Sequence, residues 1–263
     1  MTKSILRYNN SIIKPNSKII RQNWSYGGGL KFDGVNDYVT FGNIFNSFNF
    51  NTPFSFTITL KLITFNALTY TYRPFNINST GDSGIYLRST TAYNFSLFLY
   101  TNASKYRAIN GKLLTIDTLY TLTYVYNGDL SMVGSFAYTN GIKNTSFLIV
   151  GSPPTTFTSG QAMLCPNVNK YSNMYIFDLK VFNKALTDAE CIELYIKQGQ
   201  IIPSSAISNC VADWRFEDKS GTVLTDRSGS GFNGTLVNYA AGTTDLGATN
   251  SWVDYAGDPL TQY

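Results

Sequence analysis

The chain contains no histidine. That absence removes Ser-His-Asp and Cys-His nucleophilic arrangements and any histidine-ligated zinc. Glutamate is nearly as scarce, with Glu190, Glu193 and Glu217 the full complement. The three cysteines, Cys165, Cys191 and Cys210, are odd in number and irregular in spacing. That argues against a disulfide framework and favours buried free thiols over a single Cys191–Cys210 bridge. No run of about eighteen apolar residues occurs, so no transmembrane helix is expected. The first ten residues lack the apolar core and small-residue cleavage site of a signal peptide. The expectation is a protein made and kept in a cytoplasm, or one that leaves it by lysis or a dedicated route.

What is present points to strands. The 263 residues are 43% hydrophobic, enough to bury the core of one large domain, with or without appendages. Only 14% are charged, and there are 19 Tyr and 18 Phe. Aromatic side chains suit a pleated, half-buried surface. The net charge of +4 is unevenly spread: Lys3, Arg7, Lys14, Lys18, Arg21 and Lys31 precede the first acidic residue. These bases alternate with Ile5, Leu6, Ile12, Ile13, Ile19 and Ile20. Such a pattern fits strands docking on a partner better than a solvated phosphate-binding tail, so no nucleic acid is expected.

Three regions follow: a basic strand arm over 1–26, a central domain over 27–200, and an extension over 201–263. Leu30 and Phe32 before Asp33-Gly34, and Tyr38, Val39 and Phe41 after it, read as a β-hairpin. Phe54 to Leu62 alternates with period two, as does Tyr120 to Tyr126. Further strands are expected at 85–88, 95–100, 136–138, 147–150 and 175–181, with Asn140-Gly141 as a second hairpin turn. Thr187 and Glu190 form a capping box for a helix of one to three turns, which Gly199 ends. Such short strands with turns between them indicate a sandwich or barrel. In the extension, 210–216 and 222–224 read as strands about a Lys219-Ser220-Gly221 turn, and a Gly-rich loop over 226–236 then runs into another strand.

Three separated segments resemble the laminin-G-like group of the concanavalin A-like superfamily. They are Phe32-Asp33-Gly34-Val35-Asn36-Asp37-Tyr38-Val39; Asn140-Gly141 with Leu148-Ile149-Val150-Gly151; and Asp178-Leu179-Lys180-Val181-Phe182-Asn183-Lys184-Ala185-Leu186-Thr187, running on to Glu190. The resemblance covers about residues 27–198 and implies an all-β, two-sheet antiparallel jelly-roll sandwich with one short helix. The extension, from Val211-Ala212-Asp213-Trp214 to Asn233-Gly234, is similar to the segment that normally precedes the first motif. It therefore implies a circular permutation, with the extension completing the sandwich or packing on it, or else a truncated second copy.

The resemblance also implies a structural calcium ion, with Asp178 and Asp33 as ligands; otherwise Asp33 shapes its turn and Asp178 bonds backbone. Glycosidases on this fold usually carry a Glu-x-Asp-x-x-Glu strand, which this chain lacks, so no enzyme is expected. Glu190 and Glu193 sit on one helix turn, and Asp213 with Asp226 is a residual carboxylate pair. For sugar stacking, the candidates are the loop residues Tyr70, Tyr72, Tyr93, Tyr106 and Asn76, set against a packing role for tyrosines this abundant. Trp24, Trp214 and Trp252 are expected as packing anchors. The functional expectation is a non-catalytic binding or structural protein: an oligomeric virion component of a phage, such as a fibre, decoration or adsorption protein. It would dock on other virion proteins through the arm and contact host glycans through the sandwich. The alternative is a bacterial cell-surface adhesin or carbohydrate-binding module.

Overall fold

The computed structural model describes residues 6–8, 11–13, 28–34, 36–42, 48, 50–64, 74–78, 84–89, 94–102, 105–152, 161–165, 173–219, 221–237 and 252–253. Along the chain these form β1 (Leu6–Tyr8), β2 (Ser11–Ile13), β3 (Gly29–Asp33), β4 (Tyr38–Gly42), β5 (Phe54–Leu62), β6 (Phe75–Asn78) and β7 (Gly84–Ser89). Next come β8 (Asn94–Asn102), β9 (Lys105–Leu113), β10 (Leu119–Tyr126), β11 (Phe136–Thr139), β12 (Ile142–Asn144), β13 (Phe147–Val150), β14 (Gln161–Leu164) and β15 (Asn173–Phe182). Helix α1 (Asp188–Ile196) precedes β16 (Cys210–Trp214), β17 (Val223–Leu224), β18 (Gly234–Val237) and β19 (Trp252–Val253).

Two antiparallel sheets make the sandwich. An 8-stranded sheet runs β12-β11-β10-β5-β15-β3-β19, with β16 also on β15; a 9-stranded sheet runs β13-β9-β8-β7-β6-β14-β4-β18-β17. One face of each sheet supplies the shared core. From the first come Leu30, Phe32, Phe54, Phe56, Ile58, Leu60, Ile176 and Leu179, and from the second Val39, Phe41, Phe75, Ile77, Ile85, Leu97 and Ile109. The alternation in Phe54–Leu62 explains this: every second side chain is apolar and faces inward, while Thr57 and Thr59 face out and bond Thr123 (3.0 Å) and Thr121 (3.2 Å). The β1–β2 pair is a separate two-stranded sheet.

The Asp33-Gly34 turn corrects one expectation. β3 and β4 do not form a hairpin; they lie in opposite sheets. Both edges of β3 are taken, by β15 and β19, and both edges of β4 by β14 and β18, so neither strand has an edge for the other. The link is an arch in which Asp33 N–H donates to Asp37 Oδ2 (3.1 Å) and Asn36 N–H to Asp33 Oδ1 (3.3 Å). By contrast, Asn140 (φ 48°) and Gly141 (φ 76°) do make a two-residue hairpin between Thr139 and Ile142.

The capping box is present: Glu190 N–H donates to Thr187 Oγ1 (3.3 Å) and Thr187 N–H to Glu190 Oε2 (2.8 Å). The helix lies on the outer face of the 8-stranded sheet, where Cys191 and Leu194 pack with Val125, Tyr138 and Phe182. Cys165, Cys191 and Cys210 are free thiols.

Strands from 210–237 enter both layers. β16 pairs with β15, and β18 pairs with β4. Along one edge of β15, β16 covers Leu179–Phe182 and β3 covers Asn173–Ile176, so the two strands lie end to end. Trp214 is fully buried in the shared core, and its Nε1 donates to Phe232 O (2.8 Å). Trp24 lies outside the described residues, and Trp252 is placed in β19 against Leu30.

Candidate functional site

The outer face of the 9-stranded sheet carries an aromatic cluster. Strand alternation creates it: Ile85 and Leu87 of β7, and Leu97 and Leu99 of β8, enter the core, so Tyr86, Phe98 and Tyr100 face outward. Register then aligns them. Asn76 stands opposite Tyr86, Tyr86 opposite Phe98, and Phe98 opposite Ala108. Two residues further along, Tyr100 stands opposite Tyr106.

Tyr86, Phe98 and Ala108 form a buried floor, while Tyr100 and Tyr106 are partly exposed at its rim. The Tyr100 and Tyr106 rings stack 5.9 Å apart at 29°, Phe98 meets Tyr106 at 5.5 Å, and Tyr86 meets Tyr100 edge-on at 5.8 Å. The backbone under this rim is braced from inside the sandwich. Arg107 Nη1 donates to Tyr106 O (3.0 Å) and Val150 O (3.2 Å), and its Nε donates to Leu130 O (2.8 Å). Beside the floor runs a polar chain: Ser96 Oγ donates to Asn110 Oδ1 (3.4 Å), and Asn110 Nδ2 to Ser146 Oγ (3.0 Å). At the other end Asn76, only 2% exposed, holds an Oδ1 with no hydrogen-bond donor among the described residues.

The sequence-level candidates divide accordingly. Asn76 and Tyr106 lie on this one face, three inter-strand steps across and two residues along, or about 16 Å apart. Both are in strands, β6 and β9, and not in loops as expected. Tyr70, Tyr72 and Tyr93 lie outside the described residues. Tyr86, Phe98 and Tyr100 were missed, although their alternation with Ile85, Leu97 and Leu99 marks them. Aromatic faces flanked by amide and hydroxyl groups suit a ligand with both apolar C–H surface and hydroxyls. The strands of this sheet contain no Asp or Glu, so they hold no carboxylate pair for glycosidic chemistry.

The carboxylates gather on the other sheet. Asp33 and Asp178 are not brought together: Asp33 pairs with Asn173, five residues down β15 from Asp178, or about 17 Å. A bulge at Phe177 turns Asp178 to the outer face, where it forms an ion pair with Lys180. Lys180 Nζ also lies 2.7 Å from Asp213 Oδ1, and Arg215 binds Asp213 Oδ2 through Nε (2.9 Å) and Nη2 (2.8 Å). Asp178, Lys180 and Asp213 are all completely buried. Burial raises the Asp178 carboxyl above the usual carboxylate range, against the opposing pull of Lys180. Among the described residues no three metal-ligating His, Cys, Asp or Glu side chains converge.

Asp226 and Glu190 are occupied elsewhere. Asp226 accepts from the N–H groups of Asp213 (2.9 Å), Ser228 (2.9 Å) and Phe232 (3.0 Å), which folds the Gly-rich loop around it. Glu190 accepts from Lys184 Nζ (2.8 Å) and Ser205 Oγ (2.6 Å) besides its cap.

No protein-family model matches the chain, and no curated protein matches it in sequence. Among solved structures, it is similar to a protein from Bacteroides ovatus proposed to bind carbohydrate, with a TM-score of 0.57 and 14% identity. That likeness covers 82% of this chain and 59% of the other, so the chain spans about three fifths of that protein. Looser likenesses join it to a Trypanosoma rangeli sialidase in complex with sialic acid (TM-score 0.46, 16% identity, 67% of this chain and 28% of that one). The binding domain of botulinum neurotoxin DC with SialylT is also similar (TM-score 0.44, 19% identity, 55% and 35%). What the chain shares with the Bacteroides ovatus protein is the two-sheet sandwich fold.

Proposed function

We propose that the protein binds carbohydrate, as a lectin-like module, through the outer face of its 9-stranded sheet. One observation carries this reading: the stacked, partly exposed Tyr100–Tyr106 rim stands over an aromatic floor on the outer face of the sheet. A pyranose offers C–H edges for the rings, and the strands of the face present no carboxylate to act on the ligand. The fold likeness to a protein proposed to bind carbohydrate supports the same reading.

The test is glycan-array screening of the full chain, followed by titration of any hit with a double variant, Tyr100→Ala with Tyr106→Ala. Affinity is expected to fall about tenfold or more, while Ile192→Ala on α1 leaves it unchanged. No hit, or an unchanged affinity in the double variant, overturns the proposal.

A protein-docking role, as in a virion, is the second reading. It is supported by the β1–β2 hairpin in the basic arm and by exposed Phe147, Leu148 and Ile149 on edge strand β13. The calcium reading has less to rest on, because Asp178 already has the Lys180 ammonium.

A further inference from the structure

Asp178, Lys180 and Asp213 have no part in the proposed glycan face, and their arrangement is unusual for a structural ion pair. Complete burial of two carboxylates and an ammonium is costly even when they are paired. Lys180 and Asp213 stand directly opposite one another on neighbouring antiparallel strands, with Asp178 on the same face. Lys180 Nζ approaches Asp213 Oδ1 to 2.7 Å, and among the described residues no other donor reaches that oxygen. The nitrogen is therefore held beside the carboxyl group. Asp178 Oδ2 accepts no hydrogen bond among the described residues, leaving it open to a proton.

We propose that Lys180 and Asp213 condense within the folded chain into an Nζ–Cγ amide that joins β15 covalently to β16. Asp178 takes one proton from the Lys180 ammonium, and the freed amine attacks Cγ of Asp213. Arg215, bound to Asp213 Oδ2 at 2.8 and 2.9 Å, stabilises the negative charge that develops on that oxygen. The Cγ–Oδ1 bond then breaks. The two protons lost by nitrogen leave with Oδ1 as one water, relayed through Asp178, which ends as it began. No oxidant or cofactor is required. Burial favours each step by disfavouring the separated charges at the start, and the cross-strand register holds the reacting groups in place.

Intact-mass measurement of the purified full chain, unfolded after folding, decides the matter. The expected mass is one water below that of the sequence. A digest is expected to contain a branched peptide linking the segments around Lys180 and Asp213. Lys180→Met removes the loss, and Asp178→Asn abolishes or greatly slows it while both reacting residues remain. Asp213→Asn changes the leaving group, so that variant loses one ammonia instead. A folded wild-type chain that keeps its full sequence mass on long incubation overturns the proposal, and so does a link to Asp178 in place of Asp213. The wild-type measurement stands by itself if a variant fails to fold.

Discussion

Trp214 lies against Phe41, with ring centroids 4.1 Å apart and planes inclined at 31°. One ring ends β16, in the 8-stranded sheet, and the other belongs to β4, in the 9-stranded sheet. Their contact crosses the core between a strand near the end of the chain and one near its beginning. Trp214→Ala is therefore expected to cost about 3–5 kcal/mol, read as a lower midpoint in urea unfolding. A chain cut before Cys210 is expected to lose cooperative unfolding altogether.

Gly141 has φ of 76°, and a Cβ there would sit 2.6 Å from Cδ1 of Tyr195 on α1. Gly141→Ala meets both backbone strain and the helix, so about 1–2 kcal/mol or more is expected to be lost. Pairing it with Tyr195→Ala in a double-mutant cycle separates the two contributions, because the ring contact disappears and the strain remains.

Burial pushes the Glu190 carboxyl up, but hydrogen bonds from Lys184, Ser205 and Thr187 outweigh it and hold it at about 2. A depressed carboxylate contributes stability above its unfolded value of about 4.3 and loses it as pH falls through the folded value. Glu190→Gln should accordingly destabilise the protein at neutral pH. The gap between variant and wild type should close between about pH 4 and pH 2, as followed by thermal melts across that range.

Asn76 tests stability against binding. Because its Oδ1 has no donor in the free protein, Asn76→Ala is expected to change stability by less than about 1 kcal/mol. Glycan affinity should also stay within about twofold, because the amide is buried and lies far from the Tyr100–Tyr106 rim. Calorimetric titration beside a urea melt measures both.

Much of the strand pattern was legible because it depends on local alternation. The Phe54–Leu62 strand and the Thr187–Glu190 cap appear where the sequence places them. The Asp33-Gly34 arch was not legible, since a turn signal says that the chain reverses but not whether a neighbouring edge is open. β9 was hidden for another reason. Gly111 lies inside the strand and adds no side chain to its alternation, because a Cβ there would come within 2.2 Å of Phe95 O and 2.7 Å of the Tyr124 hydroxyl. That glycine serves close approach, not reversal. The aromatic face could have been found from alternation in β7 and β8. The Lys180–Asp213 pairing could not, because nothing local in either strand specifies its register with the other.

β18 closes against β4, so the 9-stranded sheet is completed by residues from opposite ends of the sequence. For a chain emerging from the ribosome, β4 must wait with one edge unfilled until β18, about 190 residues further on, has been made. The sandwich thus cannot close before residue 237 has emerged. The waiting edge, bearing Val39 and Phe41, is where a stalled or shortened nascent chain would be captured by its neighbours or by a chaperone.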